Sequence, residues 1–143
     1  MPTPIDPRGP RFNQAVLTVG LLAGFVVDAR VVIPVFALVL FAGAAFGSDY
    51  GPVLRLFKEV IRPRLDAPAF LEDPRPPRFA AAVGVVFLSS ASVALLVGAT
   101  GLAWALALVV AGLAGLAATT GICVGCEVYV LLARRSGVEV AHR

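Results

Sequence analysis

Histidine is all but missing from this chain. His142 is the only one, on the C-terminal tail, and there are just two cysteines, Cys123 and Cys126. Two thiolates make half of a tetrahedral zinc site, so no metal is assigned, and no Ser-His-Asp set can be assembled. Charge is scarce as well. Asp, Glu, Lys and Arg make up 15% of the 143 residues, against about 25% in a soluble domain, which leaves the chain too apolar for water. The formal charge of +3 has neither a basic face nor a recognition motif behind it, so nucleic acid is excluded as a partner. No small-x-small site closes the first apolar run near Val26-Val27-Asp28-Ala29, as a cleaved secretory signal would need, and that run is expected to be a retained helix. No motif calls for a cofactor.

What the chain does have is apolar length. The hydrophobic fraction is 59%, and residues 79–101 and 102–126 carry no charge, the signature of membrane-spanning helices. The expected fold is an all-α membrane protein of one domain, with four transmembrane helices in two hairpins and a short interfacial amphipathic helix. Residues 1–13 form a cytoplasmic arm, 14–47 the first hairpin, 48–78 a cytoplasmic or interfacial connection, 79–133 the second hairpin and 134–143 a tail. The helices are predicted at 14–27, 31–47, 78–97 and 102–119. Pro2, Pro4, Pro7 and Pro10 are expected to keep the arm extended, and Asn13 to cap the first helix. Asp28 and Arg30 mark the first turn and are expected to pair. In the connection, Val53, Leu56, Phe57, Val60 and Ile61 share one helical face and Arg55, Lys58, Glu59 and Arg62 the other, which predicts a basic helix lying in the interface and stopped at Pro63.

Orientation follows from the basic residues. Of the twelve Lys and Arg, only Arg30 lies in a hairpin turn; the others lie in the arm, the connection and the tail. That asymmetry puts both termini and the connection in the cytoplasm of a bacterial inner membrane. The fourth helix then delivers Cys123 and Cys126 to the inner, reducing face.

The thiol pair is the chemical feature of the sequence. Residues three apart share a helix face. Thr119, Thr120 and Gly121 are placed to end one helix and start another, which sets Cys123 at a helix N-terminus, where the dipole favours thiolate. Glu127 opposes this, and Tyr129 is placed to hydrogen-bond or to anchor at the interface. Equally, two cysteines suit a packed membrane helix, with Gly121 and Gly125 allowing close contact. Arg8, Arg11, Arg62 and Arg64 suggest an anion site, or more simply lipid headgroup binding.

Asp6-Pro7-Arg8-Gly9-Pro10-Arg11-Phe12-Asn13, Arg62-Pro63-Arg64-Leu65, Glu72-Asp73, Pro77-Arg78-Phe79-Ala80 and Thr120-Gly121-Ile122-Cys123-Val124-Gly125-Cys126-Glu127-Val128-Tyr129 together resemble the bacterial membrane proteins of domain-of-unknown-function family 4395. That family usually has Phe at the position of Ile122. The resemblance implies an integral membrane protein whose genes neighbour those of thioredoxin-like and sulfurtransferase proteins. The leading expectation is a dithiol, Cys123 attacking and Cys126 resolving, that serves thiol-disulfide exchange or sulfur transfer with such a protein. The alternatives are a non-catalytic subunit of a membrane complex, and a conduit for a small sulfur anion. Membrane lipid is an expected partner, and a homo-oligomer or larger complex is left open.

Overall fold

The structure, a computed structural model, describes residues 5–46 and 52–137. The predicted helix end at Gly47, residues 48–51, the first four residues and the tail beyond Gly137, His142 included, lie outside them. The described residues form α1 (Arg8–Val26), α2 (Val32–Phe46), α3 (Pro52–Leu56), α4 (Arg75–Leu96), α5 (Thr100–Thr120) and α6 (Val124–Arg135). α3 runs on into a π turn (Phe57–Ile61) and a 3-10 turn (Arg62–Arg64). Among the described residues, two helices, α4 and α5, are long and apolar enough to cross a membrane. α2 is apolar but has 15 residues, and the first turns of α1 carry Arg8, Arg11, Asn13 and Gln14.

The arm is not extended up to residue 13. Helix α1 starts at Arg8, and Asn13 lies within it rather than capping it. The cap is made upstream: the Asp6 carboxylate accepts the backbone N–H of Arg8 (2.9 Å) and its guanidinium (Nη2, 3.0 Å). Pro10 then falls in the first turn, where no intrahelical N–H bond is lost. The same device opens α4 before its predicted start. Asp73 accepts the N–H of Arg75 (2.8 Å) and its guanidinium, and Pro76 and Pro77 fill the first turn. Both carboxylates are held below the usual range. For Asp6 burial pushes the other way and the bonds from Arg8 prevail; for Asp73 the Arg75 guanidinium is the main cause.

These two starts are one motif used twice. Residues 6–12 and 73–79 share the pattern D-P-R-x-P-R-F. Just before each motif, Ile5 and Glu72 form an antiparallel bridge. The register that pairs them also pairs Arg11 with Arg78, and each of these arginines reaches the C-terminal end of a helix in the other hairpin. Arg11 donates to the Ala118 carbonyl of α5 (3.3 Å), and Arg78 to the Ala44 and Ala45 carbonyls of α2 (2.9 and 3.3 Å), where orphan carbonyls and the dipole favour a cation. Leu21 and Leu88, paired by the same register, are both fully buried. α4 is one turn longer than α1, 22 residues against 19, and the helix ends match again past that insertion. Asp28 and Gly98 both have positive φ (51° and 83°), and Ala29 and Ala99 each donate to the carbonyl five residues back (2.8 Å). Helix α1 packs on α5 and α2 on α4. The motif, the bridge and the packing of α1 on α5 and α2 on α4 are those of a parallel internal repeat of a hairpin among the described residues, although α4 packs on α5 far more closely than α1 does on α2. At the end away from the arginines, the Trp104 indole donates to Asp28 (3.1 Å), and Arg30 pairs with the same carboxylate (3.2 Å).

Each hairpin is followed by a short segment folded back on its first helix. After α2, Phe57 is buried and stacks on Phe12 (centroids 5.6 Å apart), with Leu54 beside it over Gly9. Of the predicted apolar face, Phe57 is turned to the bundle while Leu56 and Val60 are 51% and 42% exposed; the π turn, which holds more than 3.6 residues, puts Val60 out of phase with Phe57. The segment also persists past Pro63 as the 3-10 turn. After α5, the partner segment is α6: Tyr129 stacks on Phe79 at 5.5 Å, and α6 packs along α4.

Candidate functional site

The linker between α5 and α6 is built by a run of small polar residues. Thr119 and Thr120 donate their hydroxyls back to the carbonyls of Gly115 (2.8 Å) and Leu116 (2.6 Å), and Gly121 takes the left-handed conformation (φ 76°) that ends α5, which costs glycine little. Thr120 Oγ1 then accepts the Ile122 N–H (3.2 Å). The chain turns through an extended Cys123 (φ −93°, ψ 110°), which is the N-cap of α6. Its sulfur accepts the Cys126 N–H at 3.3 Å, as a serine or aspartate oxygen would in that position. Glu127 lies in the first turn and Arg134 and Arg135 in the last, each matched to the helix dipole. Gly125 sets the height of the cap above α4. A Cβ there would come within 2.8 Å of the Ala80 Cβ and 3.0 Å of its Cα.

Both thiols are free and half-buried, and their environments push them in opposite directions. Cys123 is lowered to about 7, first by a hydrogen bond from the Cys126 thiol and then by the N–H groups of Cys126 and Gly125, against burial and the Glu127 charge. Cys126 is raised strongly, because it donates its proton to Cys123, is desolvated, and faces the charges of Cys123, Glu72 and Glu127. Of the two sulfurs, the one on the cap, Cys123, is therefore the one that ionises first. A thiolate ready to attack beside a protonated second thiol is the arrangement that thiol-disulfide exchange requires.

The six residues singled out between 120 and 129 all act on this cap, though Tyr129 does so by packing on Phe79. The arginines divide. Arg8 is bound to Asp6 and to the Asp66 carbonyl (2.8 Å), and Arg11 holds the end of α5 from which the cysteine linker departs. Arg62 and Arg64 are exposed on the 3-10 turn, Arg62 close enough to Asp6 to favour its charge. Glu72, whose charge disfavours ionisation of Cys126, and Ala80 under Gly125 were not singled out from the sequence. Their signal was available in the repeated D-P-R-x-P-R-F motif, which puts residue 72 just before its second copy and residue 80 just after it. Among the described residues, no three His, Cys, Asp or Glu side chains are grouped to hold a metal ion.

The fold and site define a helical protein built on a duplicated hairpin, with a capped dithiol at one end. The chain belongs to the family described as a domain of unknown function, DUF4395, whose model matches residues 5–134. No curated protein and no solved structure matches it.

Proposed function

We propose that this is a multi-pass protein of the bacterial inner membrane whose Cys123–Cys126 pair exchanges electrons, as a dithiol and disulfide, with a thioredoxin-like protein at the cytoplasmic face. The single observation that carries the chemistry is the capped sulfur: Cys123 Sγ accepts the Cys126 N–H at 3.3 Å at the start of a helix. The reaction needs no other group. Cys123 attacks one sulfur of the partner's disulfide, and the other leaves as a thiolate. Cys126, deprotonated as that charge appears, attacks Cys123 in the mixed disulfide and releases the reduced partner. Two electrons pass to the partner, and a Cys123–Cys126 disulfide remains. Because Cys123 is a non-helical cap, this bond forms at a terminal turn, where the chain can adjust to disulfide geometry. Sulfur transfer from a sulfurtransferase would begin with the same attack on a persulfide.

The membrane setting rests on apolar surface. Outward side chains such as Val19, Leu38, Val86 and Leu96 are 67%, 69%, 64% and 86% exposed, in bands that water would not tolerate on a monomer. The repeated motif extends the reading from α4 and α5 to α1 and α2, although α1 and α2 pack on each other far less than α4 and α5 do. α2, roughly 22 Å long, would need local thinning or snorkelling to cross. Arg8, Arg11, Arg75, Arg78, Arg134 and Arg135 belong to one end of the bundle and Arg30 to the other, which favours the arginine-rich end as cytoplasmic. An anion conduit has less support, because Arg8 and Arg11 are committed to Asp6 and to a backbone carbonyl, which leaves Arg62 and Arg64, exposed on the 3-10 turn, of the four arginines such a conduit would use.

The test is a maleimide mass shift on intact membranes, with and without a mild oxidant. Both thiols should be lost together and reversibly in the parent, and a mixed disulfide should be trapped in Cys126→Ser. Thiols that react only after denaturation would mean that the cysteines serve packing in a non-catalytic subunit. Reporter fusions after Gly47 and Arg143 test the topology, and opposite locations for the two would sink it.

A further inference from the structure

The segment after α2 and the helix after α5 are held by the same kind of contact. Phe57 stacks on Phe12 and Tyr129 on Phe79, with centroids 5.6 and 5.5 Å apart, and Phe12 and Phe79 close the two copies of the repeated motif. That match makes Val128 the counterpart of Leu56, Leu132 of Val60 and Arg134 of Arg62. From Pro52 and from Val124, both segments run exposed, half-buried, half-buried, exposed, exposed. Their outward residues agree as well: Val128 and Leu132 are 42% and 51% exposed, the values found at Val60 and Leu56. Helix α6 is therefore apolar on two opposite sides. Val130 and Ala133 are buried, while Val128, Leu131 and Leu132 point away from the bundle.

Two observations say what covers these outward faces. The central segment lies on α1 and α6 on α4, so a protein docked at the dithiol, or a second copy of the chain seated on α6, would cover one face and leave the other bare. A bilayer surrounds the bundle and covers both. Charge points the same way. Arg62 and Arg64 follow the first face, and Arg134 and Arg135 end the second. An apolar face with arginines at its margin suits the boundary between acyl chains and anionic headgroups.

We infer that both segments are seated in the cytoplasmic leaflet, with Leu56 and Val60 of one and Val128, Leu131 and Leu132 of the other among the upper acyl chains, and the arginines at the headgroups. The inference rests on the membrane reading and extends it to α6, the helix that carries the dithiol. Leu54, the counterpart of Cys126, lies over Gly9 on the bundle side, so the lipid face of α6 is the one opposite Cys126. Held by α4 on one side and by lipid on the other, α6 keeps its N-terminal cap, and with it Cys123, at the bilayer surface. Whatever reacts with the dithiol has to meet it there.

The experiment uses the full-length protein in nanodiscs of phosphatidylethanolamine and phosphatidylglycerol. Leu56→Trp, Val60→Trp, Val128→Trp and Leu132→Trp each add one tryptophan, and the parent, which has Trp104 alone, gives the baseline to subtract. The quenchers are acyl chains brominated near the headgroup and, from the water side, acrylamide. All four added tryptophans should lose emission to the brominated lipid and be shielded from acrylamide. Two positions on each segment keep the test usable if one variant misfolds. Val86→Trp, on the outward side of α4, reports the membrane reading by itself. Quenching at Val86→Trp by lipid, with residues 128 and 132 open to acrylamide, overturns the seat of α6 and leaves the membrane reading standing. Tryptophans shielded from acrylamide but untouched by brominated lipid overturn it too, since protein would then cover the face. No lipid quenching at Val86→Trp either removes the membrane reading together with the seat.

Discussion

Ile5 and Glu72 each donate a backbone N–H to the other's carbonyl, both at 2.9 Å. The two residues occupy the same place in their repeats, so this small bridge joins the hairpins at matching positions. On either side of it, Asp6 and Asp73 perform one task, and equivalent changes should have equivalent consequences. Asp6→Asn and Asp73→Asn are each expected to lower the melting temperature of the protein in detergent. The effect depends on pH. Both carboxylates are lower in the folded state than in the unfolded chain, so their stabilisation is complete above the unfolded value of about 3.9 and is lost as pH falls through the folded value. As pH falls from about 5 to below the folded values, the parent should lose more stability than either variant. A parent and variants that decline in parallel would show that these carboxylates do not govern the acid side.

Arg11 and Arg78 extend the comparison. Arg78 donates to two carbonyls of α2, and Arg11 to one of α5. Arg78→Gln should therefore destabilise the bundle more than Arg11→Gln. The Arg11 variant should have the larger effect on the thiols, because Ala118 lies just before the linker that carries Cys123. Melting temperature and the alkylation rate of Cys123 separate the two, and the expectation fails if both variants change both quantities alike.

The helices were readable because charge-free apolar runs leave few other solutions, and the α5–α6 break was readable because Thr119, Thr120 and Gly121 have strong local habits. The early start of α1 was not. Four prolines suggested an extended arm, but Pro10 sits where a helix has no N–H bond to lose, and the decisive cap, Asp6, acts from outside. In the central segment the apolar face divides, Phe57 against the bundle and Val60 outward, since periodicity assumes 3.6 residues per turn and a π turn does not keep it. The repeat itself lay open in two copies of one heptapeptide pattern. Only the stacking of Phe57 on Phe12 and of Tyr129 on Phe79, however, reveals that the two folded-back segments correspond, a relationship between distant segments that local pattern does not carry.

Gly125 offers a direct test of how the cap is held. A methyl group there would press on the Ala80 Cβ at 2.8 Å and on its Cα at 3.0 Å, and backbone on α4 has nowhere to retreat. Gly125→Ala should cost about 1–3 kcal/mol, the range for overpacking, and should loosen α6 so that both thiols label faster. Ala80→Gly removes one of the opposing atoms and should restore part of the loss in the double variant. Additive losses, with no rescue, would mean that the two residues do not meet.

The last prediction concerns which of the two sulfurs ionises first. Alkylation of Cys123 by iodoacetamide should follow its thiolate and reach half its maximum near pH 7, since Cys123 is lowered to about 7, rather than near 8.5, where an ordinary thiol would. The Cys126 thiol is the largest cause of that lowering, so the replacement chosen at 126 matters. Cys126→Ser keeps a hydroxyl donor and should hold the midpoint close to that of the parent. Cys126→Ala removes the donor, leaves only the backbone N–H groups, and should move the midpoint upward. Glu127→Gln removes a charge that opposes the thiolate and should move it downward. Opposite shifts from two neighbouring positions are hard to obtain from a general loosening of α6, which would expose Cys123 and return every variant toward the ordinary value. A parent profile already centred there would remove the special status of Cys123, and with it the assignment of Cys123 as the attacking thiol.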